Sequence, residues 1–259
     1  MTEIILNGKI VKLWGDCLDL SERGINNISE IKGFEDIAYL KKLNLSGNNI
    51  REIKDLEILS NLEFLNLRYN QIIKISGIEM LTNLKQLYLY NNRITEIKGL
   101  NTLKNLKVLN LYENYITEIK GLENLIGLEE LHLGSNRISE IKGLQSLKNL
   151  KFLNLEKNRI SEIKGLSNLN NLILLNLKWN QIFEIKNLDN LKNLLRLELA
   201  YNRISEIKGL GALERLFNLD LRANPIYDSY INFKEKKELK KLVKLLDAQE
   251  LVEFCKEKI

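Results

Sequence analysis

Leucines and isoleucines recur along most of this chain with a period of 22 residues. Each unit contains the pattern L-x-L-x-x-N-x-I, as in residues 87–94 and 153–160. The alternating L-x-L segment predicts a short β-strand whose leucines point to one side and whose x residues point to the other. Isoleucines two and five residues after the asparagine, with leucines eight and eleven after it, complete the apolar set of each unit.

One asparagine keeps the same place in every unit, and we call these residues the repeat asparagines. Because each follows a strand directly, its side-chain amide can donate to and accept from turn backbone groups that no strand pairing reaches. The pattern therefore predicts a buried structural ladder, and Asn26 extends the series one step back. The ladder comprises Asn48, Asn70, Asn92, Asn114, Asn136, Asn158, Asn180, Asn202 and Asn224.

A single 22-residue unit cannot bury its own apolar side chains, so the units must stack as coils with adjacent parallel strands. Seven residues after the asparagine stands a glycine, replaced in two coils by Asp55 and Asn187. These residue types favour positive φ, so we predict a left-handed turn there. The return segment is short, which favours extended chain or 3₁₀ turns.

The repeat resembles the leucine-rich-repeat signature L-x-x-L-x-L-x-x-N-x-L. Its 22-residue period is similar to that of the regulatory leucine-rich-repeat subunit of type 1 protein phosphatase and of bacterial internalin domains. The resemblance covers residues 18–226 and implies an α/β right-handed solenoid of about ten repeats. In such a solenoid the parallel β-sheet is concave and the extended or 3₁₀ side is convex.

Both ends of the chain depart from the repeat. Residues 1–17 read as a β-hairpin cap around Asn7-Gly8, and the first repeat carries a three-residue insertion near residues 21–24. The repeat stops at Pro225. Residues 227–259 predict a helical cap, because Leu239, Leu242, Val243 and Leu246 fall at helical spacing.

Composition narrows the possible compartments. The chain is 44% hydrophobic, carries a net charge of +5 and has two cysteines, Cys17 and Cys255, far apart in sequence. It shows no secretory signal and no membrane-length apolar run. Unpaired thiols fit a reducing compartment, so we expect a cytoplasmic protein. The alternative compartment is extracellular, with the chain a fragment of a secreted protein that lacks its signal. A consensus-designed scaffold is the alternative to a natural sequence.

The outward positions of the sheet are where a binding site is expected. Counted from the repeat asparagine they are −6, −4, −2, −1 and +1, and we call this surface the sheet face. It holds nine of the eighteen aromatic residues, together with arginines and the lone histidine. Exposed aromatic residues and arginine are typical of binding hot spots. The predicted partner-binding residues are Phe64, Arg68, Tyr69, Tyr88, Tyr90, Arg93, Tyr112, Tyr115, His132, Phe152, Trp179, Arg196, Tyr201 and Arg203.

Within this set we expect one aromatic patch of Tyr69, Tyr88, Tyr90, Tyr112 and Tyr115, and a second patch of Phe152, Trp179, Tyr201 and Arg203. The alternative is that the rings stack only to stabilise the sheet. Tyr90, Tyr112 and Trp179 are the residues we expect to carry affinity. The recurring Glu at +4 and Lys at +6 suit a structural role.

The favoured function is a non-enzymatic scaffold or regulatory module that docks another protein. Because the sheet face has ten basic and five acidic residues, the expected partner is acidic and partly apolar. Nucleic acid is the alternative, since arginine and tyrosine hold phosphates and stack bases. No catalytic motif, cofactor loop or metal-ligand pair is found, and His132 has no second histidine and no cysteine near it in sequence. No cofactor, metal or membrane partner is expected.

Overall fold

The central structure is a stack of coils joined by one parallel β-sheet. The computed structural model describes residues 4–6 and 8–226. Nine three-residue strands start every 22 residues, in register with their neighbours, as Leu109 opposite Leu131 illustrates. They are β5 (Lys42–Asn44), β6 (Phe64–Asn66), β7 (Gln86–Tyr88), β8 (Val108–Asn110), β9 (Glu130–His132), β10 (Phe152–Asn154), β11 (Leu174–Asn176), β12 (Arg196–Glu198) and β13 (Asn218–Asp220).

The N-terminal strands include the tenth member of this sheet. β1 (Ile4–Leu6) and β2 (Lys9–Val11) pair antiparallel, and β1 also pairs with β4 (Ile31–Lys32). β3 (Cys17–Asp19) joins the parallel sheet beside β5, 25 residues before it. Short 3₁₀ helices occupy Ile28–Glu30 and Phe34–Ile37.

The core is a continuous column of leucine and isoleucine inside the coils. In the coil of Asn92, Leu87, Leu89, Ile94 and Ile97 are all fully buried, and the same positions are buried in the neighbouring coils. Each coil buries its apolar side chains against the coils above and below it, which is the reason why the units must stack. This confirms the leucine-rich-repeat solenoid.

The repeat asparagines are buried and bonded to the backbone, as the sequence predicts. Asn136 Nδ2 donates to the carbonyls of Leu111, Leu133 and Gly134 at 3.0–3.1 Å. Its Oδ1 accepts the N–H of Ile116 at 2.9 Å. One amide therefore ties its own turn to the preceding coil, and the same geometry recurs from Asn48 to Asn224.

The turn seven residues after the asparagine has the predicted left-handed backbone. Gly77 has φ of 73°, and the substitutes Asp55 and Asn187 have φ of 59° and 60°. A Cβ added at Gly77 would lie 2.1 Å from the carbonyl oxygen of Ile53. At Gly77 the backbones of adjacent coils therefore lie too close together for an ordinary side chain.

The return side of each coil consists of tight turns. In one coil the N–H of Leu103 donates to Leu100 and that of Leu106 donates to Leu103, both at 3.1 Å. Exposed asparagines thirteen residues after the repeat asparagine form a second ladder, in which Asn105 Nδ2 donates to the carbonyl of Thr82 at 3.0 Å. The predicted helical cap, 227–259, lies outside the described residues.

Candidate binding face

The structure places all fourteen predicted partner-binding residues on the sheet face, and none of them is buried. Four aromatic residues are exposed: Tyr69, Tyr115, Trp179 and Tyr201. The remaining aromatic residues and His132 are half-buried. Because the leucines of the same strands are fully buried, the period-two alternation assigns the two faces of the sheet correctly.

Three tyrosines form a connected cluster near the N-terminal half of the face. The hydroxyls of Tyr69 and Tyr90 are 2.8 Å apart, and their ring centroids are 4.8 Å apart. The Tyr112 ring lies 5.6 Å from that of Tyr90. The hydrogen bond between the Tyr90 and Tyr69 hydroxyls, assisted by desolvation, raises the pKa of Tyr90 to about 12.

The other two tyrosines of the predicted first patch make different contacts. Tyr88 packs against Phe64 with centroids 5.5 Å apart. Tyr115 lies under the guanidinium of Arg137 at 4.5 Å, a cation–π distance. The five tyrosines of the predicted first patch therefore belong to separate local contacts.

Tyr112 extends across a whole coil. Its hydroxyl donates to Glu156 Oε1 at 3.0 Å, two coils away in sequence, and Asn176 Nδ2 donates to the other carboxylate oxygen at 2.8 Å. The intervening coil has Gly134 at this place, where a Cβ would lie 2.7 Å from the Tyr112 ring and 3.0 Å from Glu156. Burial and the bond to Glu156 raise the pKa of Tyr112.

The second aromatic site is a stacked pair. The rings of Trp179 and Tyr201 are 3.8 Å apart and 6° from parallel, and the two residues are 49% and 45% exposed. Phe152, predicted to join them, instead lines a depression of about 350 Å³ with His132, Arg196 and Glu198. The stacked pair thus presents aromatic surface to solvent.

Part of the positive charge of the face is neutralised within the chain. Lys178 Nζ lies 2.7 Å from Glu198 and 3.1 Å from Asp220, and Arg222 bonds Asp220 at 2.8 Å. Arg196 also pairs with Glu198. Hydrogen bonds from Arg222 and Lys178 lower the pKa of Asp220 to about 2. Burial alone would lower the pKa of Lys178, but its two carboxylate partners raise it.

Comparison with known families agrees with this architecture. The family description "Leucine Rich Repeat" matches residues 39–60, and "Leucine Rich repeats (2 copies)" matches 60–102, 82–124, 104–147 and 126–168. The chain belongs to the leucine-rich-repeat family. Curated protein sequences give no match.

Solved leucine-rich-repeat structures are similar over most of this chain. Internalin C2 from Listeria monocytogenes is 34% identical, with 70% of this chain and 80% of that one covered and a TM-score of 0.65. Internalin InlF from the same organism is 28% identical, with 81% and 67% covered and a TM-score of 0.66. TLR13, in a complex with single-stranded RNA, is 30% identical, with 79% and 32% covered and a TM-score of 0.71.

The leucine-rich repeat places further polar residues on the face that sequence reasoning did not single out. At position −4 the side-chain oxygen of Asn110 accepts the N–H of Tyr112 at 3.0 Å, and that of Asn154 accepts the N–H of Glu156 at 3.0 Å. These asparagines fix the backbone that carries the residue at −2. The repetition of Asn or Asp at −4 in most coils was the available signal.

Two classes of site receive no support from the part of the chain that the structure describes. Residues 4–6 and 8–226 contain no cluster of His, Cys, Asp or Glu that could hold a metal ion. Over the same residues no helix has the length and apolar character needed to cross a bilayer.

Proposed function

We propose that this leucine-rich-repeat chain is a non-enzymatic protein-binding module whose sheet face docks a partner protein. The observation that carries the proposal is the stacked Trp179–Tyr201 pair, which leaves nearly half of each residue exposed. Large aromatic side chains left open on one face are typical of interaction sites. Ten strands at about 4.8 Å spacing give a face more than 40 Å long, sufficient for an interface of about 800 Å² per partner.

The three residues expected to carry affinity differ in how far contacts within the chain occupy them. Tyr90 and Tyr112 have their hydroxyls bonded within the chain, so part of their role is to stabilise the face. Trp179 contacts Tyr201 and no other ring among the described residues. Of the three residues expected to carry affinity, Trp179 is therefore the one most available to a partner.

The test compares variants by affinity capture from the source lysate, followed by titration of the purified partner. Trp179→Ala should raise the Kd about 30-fold, which corresponds to a hot spot of about 2 kcal/mol. Tyr90→Ala and Tyr112→Ala should raise it by smaller factors. The matched control is Tyr39→Ala, an aromatic residue 50% exposed away from the sheet face. Equal binding by all variants, or an equal loss with Tyr39→Ala, would contradict the proposal.

Nucleic acid is the second candidate, because the TLR13 structure is a complex with RNA and arginine and tyrosine recur on this face. Glu113, Glu130, Glu156, Glu198 and Asp220 on the same face disfavour a continuous phosphate track. Filter binding with a single-stranded RNA at several salt concentrations separates the two, because phosphate contacts give a steep salt dependence.

We also propose a cytoplasmic location. Cys17 is half-buried and has a free thiol, which suits a reducing compartment. Differential alkylation of the protein from its native cells tests this, and a blocked Cys17 thiol would argue against it.

A further inference from the structure

The position directly after the repeat asparagine carries a row of arginines along one border of the sheet face. Arg93, Arg137, Arg159 and Arg203 all occupy it, and all four are exposed. Their backbone N–H groups each donate to the isoleucine carbonyl of the preceding coil at 2.7–2.8 Å, as in Arg137 to Ile116. We call these four residues the arginine row.

No carboxylate among the described residues forms an ion pair with this row. Among residues 4–6 and 8–226, no ion pair includes any of the four arginines, and the Arg137 guanidinium lies over the ring of Tyr115. The lysines at +6 behave in the opposite way: Lys142 pairs with Glu118 of the preceding coil at 2.7 Å, and Lys164 with Glu140 at 2.8 Å. The chain thus compensates one basic row and leaves the other open.

The spacing of the row is fixed by the coils. At about 4.8 Å per strand, Arg93 and Arg137 are about 10 Å apart, Arg137 and Arg159 about 5 Å, and Arg159 and Arg203 about 10 Å. A peptide in the polyproline II conformation advances about 3.1 Å per residue with three residues per turn, so side chains three residues apart point the same way and are about 9–10 Å apart. A segment of about eight residues therefore spans the row.

An apolar surface accompanies the second pair of arginines. Trp179 belongs to the coil between those of Arg159 and Arg203, and it stacks on Tyr201. An apolar side chain between two carboxylates of the peptide would face this pair. Guanidinium groups bind carboxylates in a bidentate manner, which favours acidic side chains at fixed spacing.

Resting on the protein-binding function proposed above, we infer that the arginine row binds an extended acidic segment of the partner. Its carboxylates are three residues apart, with an apolar residue between them over Trp179 and Tyr201. Glu113, at position −1 between the coils of Arg93 and Arg137, places a negative charge beside the row. The isolated carboxylates of a peptide can avoid this charge more easily than a continuous phosphate backbone can.

The experiment selects peptides from a random dodecapeptide phage library on the intact chain. Enriched peptides should contain Glu or Asp three residues apart around an apolar residue. A labelled consensus peptide should bind Arg137→Glu/Arg159→Glu at least 10-fold more weakly by fluorescence polarisation. The control Lys104→Glu/Lys148→Glu makes the same charge change at exposed lysines off the sheet face and should stay within twofold.

Several outcomes would overturn the inference. One is enrichment of peptides without excess acid, or no enrichment at all; another is equal loss with the two double variants. Displacement of the peptide by a 20-nucleotide uridine RNA that itself requires Arg137 and Arg159 would assign the row to nucleic acid. Non-acidic peptides that depend on Trp179 would retain the protein-binding function and remove only the acidic segment.

Discussion

At the scale of single residues, the repeat asparagine makes hydrogen bonds that the coil backbone cannot make alone. Asn136 satisfies three carbonyls and one N–H, all in the interior. Asn105 on the return side satisfies one carbonyl and is exposed. Because unpaired polar groups cost free energy only where water cannot reach them, these two asparagines should differ in importance.

We expect Asn136→Ala to lower the free energy of unfolding by about 1–3 kcal/mol, because it leaves buried backbone groups unpaired. Asn105→Ala should cost less than about 1 kcal/mol, since water replaces its single bond. Urea denaturation followed by circular dichroism measures both. A loss for Asn136→Ala no larger than that for Asn105→Ala would refute the buried-ladder role.

Gly134 is the residue that permits Tyr112 to reach Glu156. Gly134→Ala places a Cβ 2.7 Å from the Tyr112 ring, so we expect a loss of about 1–3 kcal/mol from overpacking and a lower pKa of Tyr112 in an ultraviolet titration. Gly127→Ala is the control, because its Cβ meets only contacts at 3.4 Å or beyond. Equal stability of the two variants would show that Tyr112 adapts freely.

The left-handed turns show what sequence could predict at this scale. Glycine with Asp55 and Asn187 marked the turn at +7, and the structure confirms it. Position −1 is also left-handed in every repeat from the coil of Asn48 to that of Asn224, yet it holds Tyr69, Trp179 and Tyr201, with φ of 55–59°. Pairing between coils imposes it, since the N–H of Trp179 donates to the carbonyl of Ala200 at 3.0 Å. Local residue preference gave no signal of this pairing.

At the scale of the element, the rows of Glu at +4 and Lys at +6 form a continuous ion-pair ladder. Lys142 contacts Glu118 of the preceding coil at 2.7 Å and Glu140 of its own coil at 3.6 Å. Isolated exposed pairs contribute little, but linked pairs act together. Hydrogen bonds and charge from these lysines lower the pKa of Glu118 and Glu140, and the reverse effect raises the pKa of Lys142 and Lys164.

The ladder should make stability depend on pH at both extremes. A depressed glutamate pKa gives stability that is present above the usual value near 4.5 and is lost as pH falls through the lower, folded-state value. A raised lysine pKa gives stability that is present below 10.5 and is lost as pH rises through the folded-state value. Melting temperature should therefore fall from pH 6 to pH 3 and again above pH 10.5, and 1 M salt should reduce both changes.

The matched variants assign this dependence. Replacing Glu118, Glu140 and Glu162 by Gln should reduce the fall in melting temperature between pH 6 and pH 3. Replacing Glu35, Glu57 and Glu79, which lie outside the ladder, should leave it unchanged. If the melting temperatures of the two triple variants depend on pH in the same way, the ion-pair ladder is not the source of the dependence.

The sequence did not predict which partners the aromatic residues of the sheet face contact. Their exposure followed from the alternation of the strands, but their partners depend on neighbouring coils. Tyr112 turns towards Glu156 because Gly134 leaves room, and Phe152 lies apart from Trp179 in its own depression. Contacts between coils also pair Lys178 with Glu198 and Asp220, and so neutralise part of the positive charge that a residue count assigns to the face.

At the scale of the whole molecule, the fold was predictable because every coil repeats the same short-range rule. Stability in such a stack is a sum of coil and neighbour contributions, so each end needs a cover. At the N-terminal end, Ile4 and Leu6 of β1 are buried, and β1 pairs with β4 in the first coil. The pairing of β1 with β4 was not visible in the sequence, because it joins residues 25 and 27 positions apart, Leu6 with Ile31 and Ile5 with Lys32.

This arrangement predicts a graded response to damage at the end. Ile4 is fully buried, so Ile4→Ala should cost about 2–4 kcal/mol through the cavity it leaves. Because each coil buries its core against its immediate neighbours, hydrogen–deuterium exchange should accelerate most in the segment from β3 to β5, less around β6, and little around β9. Ile138→Ala, an equally buried change in a central coil, should instead centre the loss on β9 and β10. Uniform acceleration along the chain in both variants would show that the solenoid unfolds as one unit and would refute nearest-neighbour stability.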